Sequence, residues 1–164
     1  MINRFVSSKA NLSDLYLPAI CVTAYSAFLR YELADLLCVH WDGAHVLLTK
    51  SGSVSCPFHM LYRYVHAANL ELSRSSLPFF RSLHFHKLTS PYGLRSTGMS
   101  YTRTREIVLR AFAELGYRNH LFGLHSLRAG GASAAANADV SDRLFSITAD
   151  GRQIEPRTLI LSIM

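Results

Sequence analysis

The 164-residue sequence predicts a mainly α fold with a small β component, and three observations carry that expectation. Residues 15–29 form an almost unbroken apolar run, the mark of a helix buried on most sides. Two further stretches, 58–68 and 107–115, repeat apolar residues at helical spacing. A strand rich in β-formers is expected over 44–49, between the turn signals Trp41-Asp42-Gly43 and Ser51-Gly52-Ser53.

Residues 1–10 are a weakly patterned lead-in. Ser13 suits an N-cap, and Asp14 places a carboxylate in the first turn, where the helix dipole favours it. Pro18 lies beyond the position where a helix accepts proline freely, so the first turns should be distorted. Arg30 ends the apolar run, and residues 31–37 begin a second short helix. Cys56-Pro57 opens the next helix with proline at its first position, and Phe58, Leu61, Val65 and Ala68 form its buried stripe. Residues 70–87 are expected as a long connection in which His84 and His86 alternate as on a strand. Residues 88–99, rich in Ser, Thr, Pro and Gly, are expected as a loop. Ser100 caps a helix over 101–115 that Gly116 terminates, with Ile107, Val108, Ala111, Phe112 and Leu115 facing the core. A further helix is expected over 124–138 and the start of another over 139–145. Residues 146–164 show no amphipathic period and end in an apolar run.

Hydrophobic residues make up 49% of the chain and charged residues 17%, a balance that excludes a disordered protein. The net charge is +6, and fourteen of the seventeen basic residues are Arg, whose planar fork grips two phosphate oxygens at once. Cys21, Cys38 and Cys56 have no metal-ligand spacing, and their odd number suits buried thiols of a reducing compartment. His59 and His66 stand two turns apart, and His84 and His86 have no acidic residue or third ligand nearby, so no metal is expected. No apolar stretch reaches the roughly 20 residues of a membrane span. The start of the chain lacks a signal-peptide pattern, and the expectation is an intracellular protein without a membrane partner.

The helix over 124–138 is the most informative stretch. His125 and Arg128 lie three residues apart and share one face. The Ala, Gly and Ser that follow remove side-chain bulk, so another backbone or a ligand can come close. Gly130 and Gly131 each cost a helix about 1 kcal/mol relative to alanine, which needs a packing or a binding reason. A His-x-x-Arg pair alone carries little, since a chain with eight His and fourteen Arg produces one by chance. The surrounding residues give it weight.

Phe122-Gly123-Leu124-His125-Ser126-Leu127-Arg128-Ala129-Gly130-Gly131-Ala132 resembles the second catalytic box of the tyrosine recombinases, the phage-integrase family, as found in animal mobile elements. Phe28-Leu29-Arg30-Tyr31-Glu32-Leu33-Ala34-Asp35-Leu36 is similar to the family's first catalytic-arginine box, shorter by one small residue between arginine and glutamate. The resemblance implies a catalytic-domain-like fold for DNA breaking and rejoining over residues 11–145, with a β-hairpin remnant at 44–49. The domain would be incomplete at its C-terminus, with 146–164 a divergent tail. It also implies that Arg30, His125 and Arg128 form a phosphate clamp, with no metal or other cofactor.

In that family a tyrosine attacks a DNA phosphodiester and is left joined to the 3′-phosphate. Here the last tyrosine is Tyr117, ahead of the His125 box, and no Gly-His-x-Trp-like third box follows. Lys50, the only lysine near the expected hairpin, comes after the strand rather than before it, so the catalytic-lysine role is not assigned to it. The expected function is therefore a DNA-binding, integrase-like domain related to DNA recombination and integration, catalytically incomplete by itself. Arg95, Arg103, Arg105, Arg110 and Arg118, with Tyr101 and Tyr117 among them, are the candidate DNA-backbone contacts. The expected partners are DNA and a full-length recombinase protomer able to supply the tyrosine, with no small-molecule substrate. The expected location is nuclear in a eukaryote. The alternative is a non-catalytic, Arg-rich helical module that binds DNA or protein.

Overall fold

A computed structural model of the chain describes residues 10–26, 56–70, 77–85 and 92–138. Four helices and one two-stranded antiparallel sheet make up this part. In order they are α1 (Leu12–Ser26), α2 (Pro57–Ala67), β1 (Arg81–Phe85), β2 (Tyr92–Gly98), α3 (Tyr101–Glu114) and α4 (Leu124–Asn137). A 3-10 turn at Asn119–Leu121 precedes α4. The strand expected over 44–49, the helix over 31–37 and the tail from 139 onward lie outside the described residues. Among the described residues no helix is long and apolar enough to cross a membrane.

Helix α1 starts earlier than expected, because Asn11 rather than Ser13 caps it. Asn11 Oδ1 accepts the Asp14 N–H at 3.1 Å, while Asp14 Oδ2 accepts the Asn11 N–H at 3.1 Å. The exchange satisfies two backbone donors together, as in a capping box. Pro18 lies inside α1 and is buried with Leu12, Leu15, Tyr16, Ala19 and Ile20. Burial of this face offsets the hydrogen bond that proline cannot make.

Helix α2 begins at Pro57 as expected and ends in a left-handed Asn69 (φ 49°). The Leu70 N–H reaches the Val65 carbonyl at 3.1 Å and the Asn69 N–H that of His66 at 3.2 Å, a Schellman ending. Its inward face is Phe58, Met60, Leu61 and Tyr64, with Val65 and Ala68 at the margin. Tyr64 was not in the expected stripe, yet it is fully buried at the centre of the core. The ring edges onto Tyr16 (centroids 5.8 Å) and stacks on Phe80 (5.3 Å), which meets Phe79 at 4.9 Å. Its hydroxyl donates to the Phe79 carbonyl at 2.9 Å, and that of Tyr16 donates to the Arg81 carbonyl. Burial pushes the Tyr64 hydroxyl pKa upward; nearby Tyr16 adds to the rise and Arg81 opposes it. Two core tyrosines thus tie α1 and α2 to the entry of β1.

The sheet corrects two expectations. Part of the connection over 70–87 is β1, and most of the loop expected over 88–99 is β2. Leu83 pairs with Leu94 and Phe85 with Tyr92, both rings of the latter pair meeting edge-on at 5.5 Å. Leu83, Leu94 and Tyr92 pack on the core. Cross-strand packing here overrides the low strand propensity of Gly93, Ser96 and Gly98.

Helix α3 follows Ser100, whose Oγ accepts the Arg103 N–H at 3.3 Å. Gly116 (φ 85°) ends it in a second Schellman turn, with the Tyr117 N–H on the Phe112 carbonyl at 2.9 Å. Val108 and Ala111 are buried as expected, and Leu109 and Thr104 join them. Leu115, the C-cap just past α3, is exposed instead of buried, because the returning chain packs Tyr117 on Phe112.

Candidate nucleic-acid interface

Helix α4 carries His125 and Arg128, and its start is fixed from two directions. Phe112 of α3, Tyr117 and Phe122 form a three-ring cluster, with centroids 5.3 to 6.2 Å apart, that holds the incoming chain against α3. Ser126 Oγ accepts the Gly123 N–H at 3.0 Å, and the Ser126 N–H donates to the Gly123 carbonyl at 3.0 Å. The first turn has no acidic residue, so its free N–H groups keep their attraction for an anion.

Gly123 has an extended backbone (φ −142°, ψ 177°) that any residue adopts. Its requirement comes from His125. A Cβ at Gly123 would stand 2.7 Å from His125 Cε1 and 2.8 Å from Nδ1. The imidazole therefore lies back over the helix start and can do so only past a glycine. His125 is exposed and Arg128, one turn further on, is half-buried. Among the described residues neither has an ion pair.

Further along α4, a Cβ at Gly130 would be 3.3 Å from Cε2 of Tyr25, on the last turn of α1. Close approach of α1 to a small-residue helix is what the Ala- and Gly-rich run suggested, and Gly130 is where it happens. Gly123 belonged to the segment singled out in the sequence, but its role beneath the His125 ring was not expected, and Tyr25 left no local signal.

Arg30 and Lys50 lie outside the described residues. The other candidate arginines are exposed but do not form one patch. Arg103 and Arg110 lie two turns apart on one side of α3, whereas Arg105 is turned about 200° from Arg103. Arg103 is paired with Glu106 at 3.2 Å in an exposed pair, worth little to stability. Arg95 sits on β2, and Arg118 just before the 3-10 turn. Among the described residues no group of three His, Cys, Asp or Glu could hold a metal ion. Comparison with protein-family models, curated proteins and solved structures returned no match.

Proposed function

We propose that the chain is a DNA-binding domain related to the tyrosine recombinases, which grips a DNA phosphate through His125 and Arg128 and does not cleave DNA by itself. The observation that carries this reading is the pairing of His125 and Arg128 on one face at the acid-free start of α4, within a segment that resembles the second catalytic box. A guanidinium fork, an imidazole and the positive end of a helix all favour a phosphate, and more so a phosphorane on which negative charge grows. Arg30 completes the clamp in this reading. It follows α1 by four residues, and the last turn of α1 is seated on α4 through Tyr25 and Gly130. His125 would also assist proton transfer, but covalent chemistry needs a nucleophile. Tyr117 is held in the three-ring cluster ahead of α4, so a full-length protomer is the proposed source of the tyrosine.

Fluorescence anisotropy with duplex DNA across a salt series tests the reading. With around four phosphate contacts, log K should fall against log salt with a slope of about −3 to −4. Arg30→Ala with Arg128→Ala should weaken binding far more than replacing any two surface arginines. Equal losses would favour the diffuse Arg-rich binding module, and a flat salt dependence would reject nucleic acid altogether. A nicked suicide substrate should trap no protein–DNA adduct when this chain acts alone; a covalent band would overturn the inactive reading.

A further inference from the structure

The hairpin carries a feature that the α4 site does not use. Arg81 pairs with Gly98 and Leu83 with Leu94, so β2 takes four steps where β1 takes two. Arg95, Ser96 and Thr97 therefore bulge opposite Ser82, whose Oγ donates to the Gly98 carbonyl at 3.3 Å. In a regular strand these three side chains would alternate between faces; a bulge re-aims them. Together with His84 they line an open cleft of about 440 Å³.

The chemistry of the lining is one-sided. It offers a guanidinium and two exposed hydroxyls that donate hydrogen bonds, beside a His84 ring whose Nδ1 is buried, and no carboxylate. A cation is repelled by Arg95, and an apolar ligand finds no apolar side chain among these four. A tetrahedral oxyanion matches, with the Arg fork on two oxygens and the hydroxyls on a third. Leu83 turns to the core, so His84, its neighbour in the regular part of the ladder, belongs to the other face of the hairpin. Arg95, Ser96 and Thr97 are exposed, and Arg95 has no ion pair among the described residues.

We propose that the hairpin cleft of His84, Arg95, Ser96 and Thr97 is a second phosphate-binding site, separate from α4, that takes a phosphodiester of the bound DNA backbone. The inference rests on the DNA-binding reading and adds a contact that reading does not require. Exposed positions make its variants safe to fold, which a thermal melt verifies.

The test uses the full chain and duplex DNA across a salt series. Arg95→Gln should make the slope of log K against log salt shallower by about 1, as expected for one lost phosphate contact. Ser96→Ala with Thr97→Ala should weaken binding several-fold and leave the slope unchanged, because neutral donors release no counterions. In parallel, amide NMR signals of Ser96 and Thr97 are followed on adding DNA or millimolar inorganic phosphate, against chloride at equal ionic strength. Movement with DNA supports the proposal. A steep wild-type slope that Arg95→Gln leaves unchanged, with no loss of affinity in the Ser96→Ala, Thr97→Ala variant, would overturn this site while leaving the DNA-binding reading intact. A flat wild-type slope would overturn both. Movement with inorganic phosphate but not with DNA would identify a free-phosphate site and overturn the phosphodiester assignment.

Discussion

Replacing Gly130 tests whether α1 is seated on α4 as the geometry has it. Alanine within a helix is favoured over glycine by about 1 kcal/mol, and Gly130 lies in the interior of α4. Against this gain stands one contact. The new Cβ would meet Tyr25 Cε2 at 3.3 Å and Cδ2 at 3.8 Å, tight by a few tenths of an ångström. The Tyr25 ring is 41% exposed, so it has an open side toward which to move. The helix term wins, and Gly130→Ala should stabilise the protein by about 0.5–1 kcal/mol, raising Tm by about 2–3 °C. Gly130→Leu sends three more carbons into the space of the ring, and overpacking of this kind costs about 1–3 kcal/mol. It should lower Tm and, by lifting the last turn of α1 from α4, weaken DNA binding, whereas Gly130→Ala should leave binding unchanged. Urea melts followed by circular dichroism give both stabilities. Destabilisation by alanine would mean that Tyr25 cannot yield. Equal stabilisation by alanine and leucine would mean that the contact is absent in solution.

Three further outcomes follow from other parts of the fold. Gly123→Ala should change stability little, since the φ and ψ there suit alanine, but it should displace the His125 ring; DNA affinity should fall while the melt stays in place. Asn11→Ala removes the side-chain half of the cap, the Asn11 Oδ1 that accepts the Asp14 N–H, and should cost about 1 kcal/mol in a urea melt, largely restored by Asn11→Ser. Burial pushes the Cys21 thiol from its ordinary 9.0 up to about 12, so iodoacetamide at pH 8 should label it slowly until urea is added. The folded state holds that proton more tightly than the unfolded one. Stability is therefore complete below about pH 9 and declines as pH rises toward 12, by at most about 1.4 kcal/mol per pH unit. Cys21→Ala should flatten the decline between pH 9 and 10, below the range where Tyr64 begins to add to it.

What could be read from the sequence depended on how far apart the interacting residues lie. Ser100 and Gly116 mark helix ends through hydrogen bonds to residues a few positions away, Pro57 through its fixed φ and missing N–H, and each acts where its type predicts. Ser13 was the expected cap of α1, but Asn11 takes the role with Asp14, three residues on, while Leu12 and Leu15 are buried. Tyr16 lay in the run expected to be buried, but Tyr64 did not stand in the expected stripe; the carbonyl acceptors of the two hydroxyls lie 65 and 15 residues away, out of reach of any local pattern. The same distinction runs through the candidate site. His125 and Arg128 share a face because three residues separate them, which any helix ensures. Tyr25 meets Gly130 only because the core brings α1 to α4. The hairpin cleft depends on a bulge, and neither Arg95 nor Thr97 signals in sequence that β2 takes two extra steps. This makes the two proposed phosphate sites differ in robustness. A point change beside Arg128 leaves the helix spacing intact, whereas removing one residue from 95–97 would shift the register and turn the remaining side chains to other faces. Deletion of Ser96 should therefore abolish the hairpin contribution to DNA binding more fully than Arg95→Gln, while the α4 contribution persists.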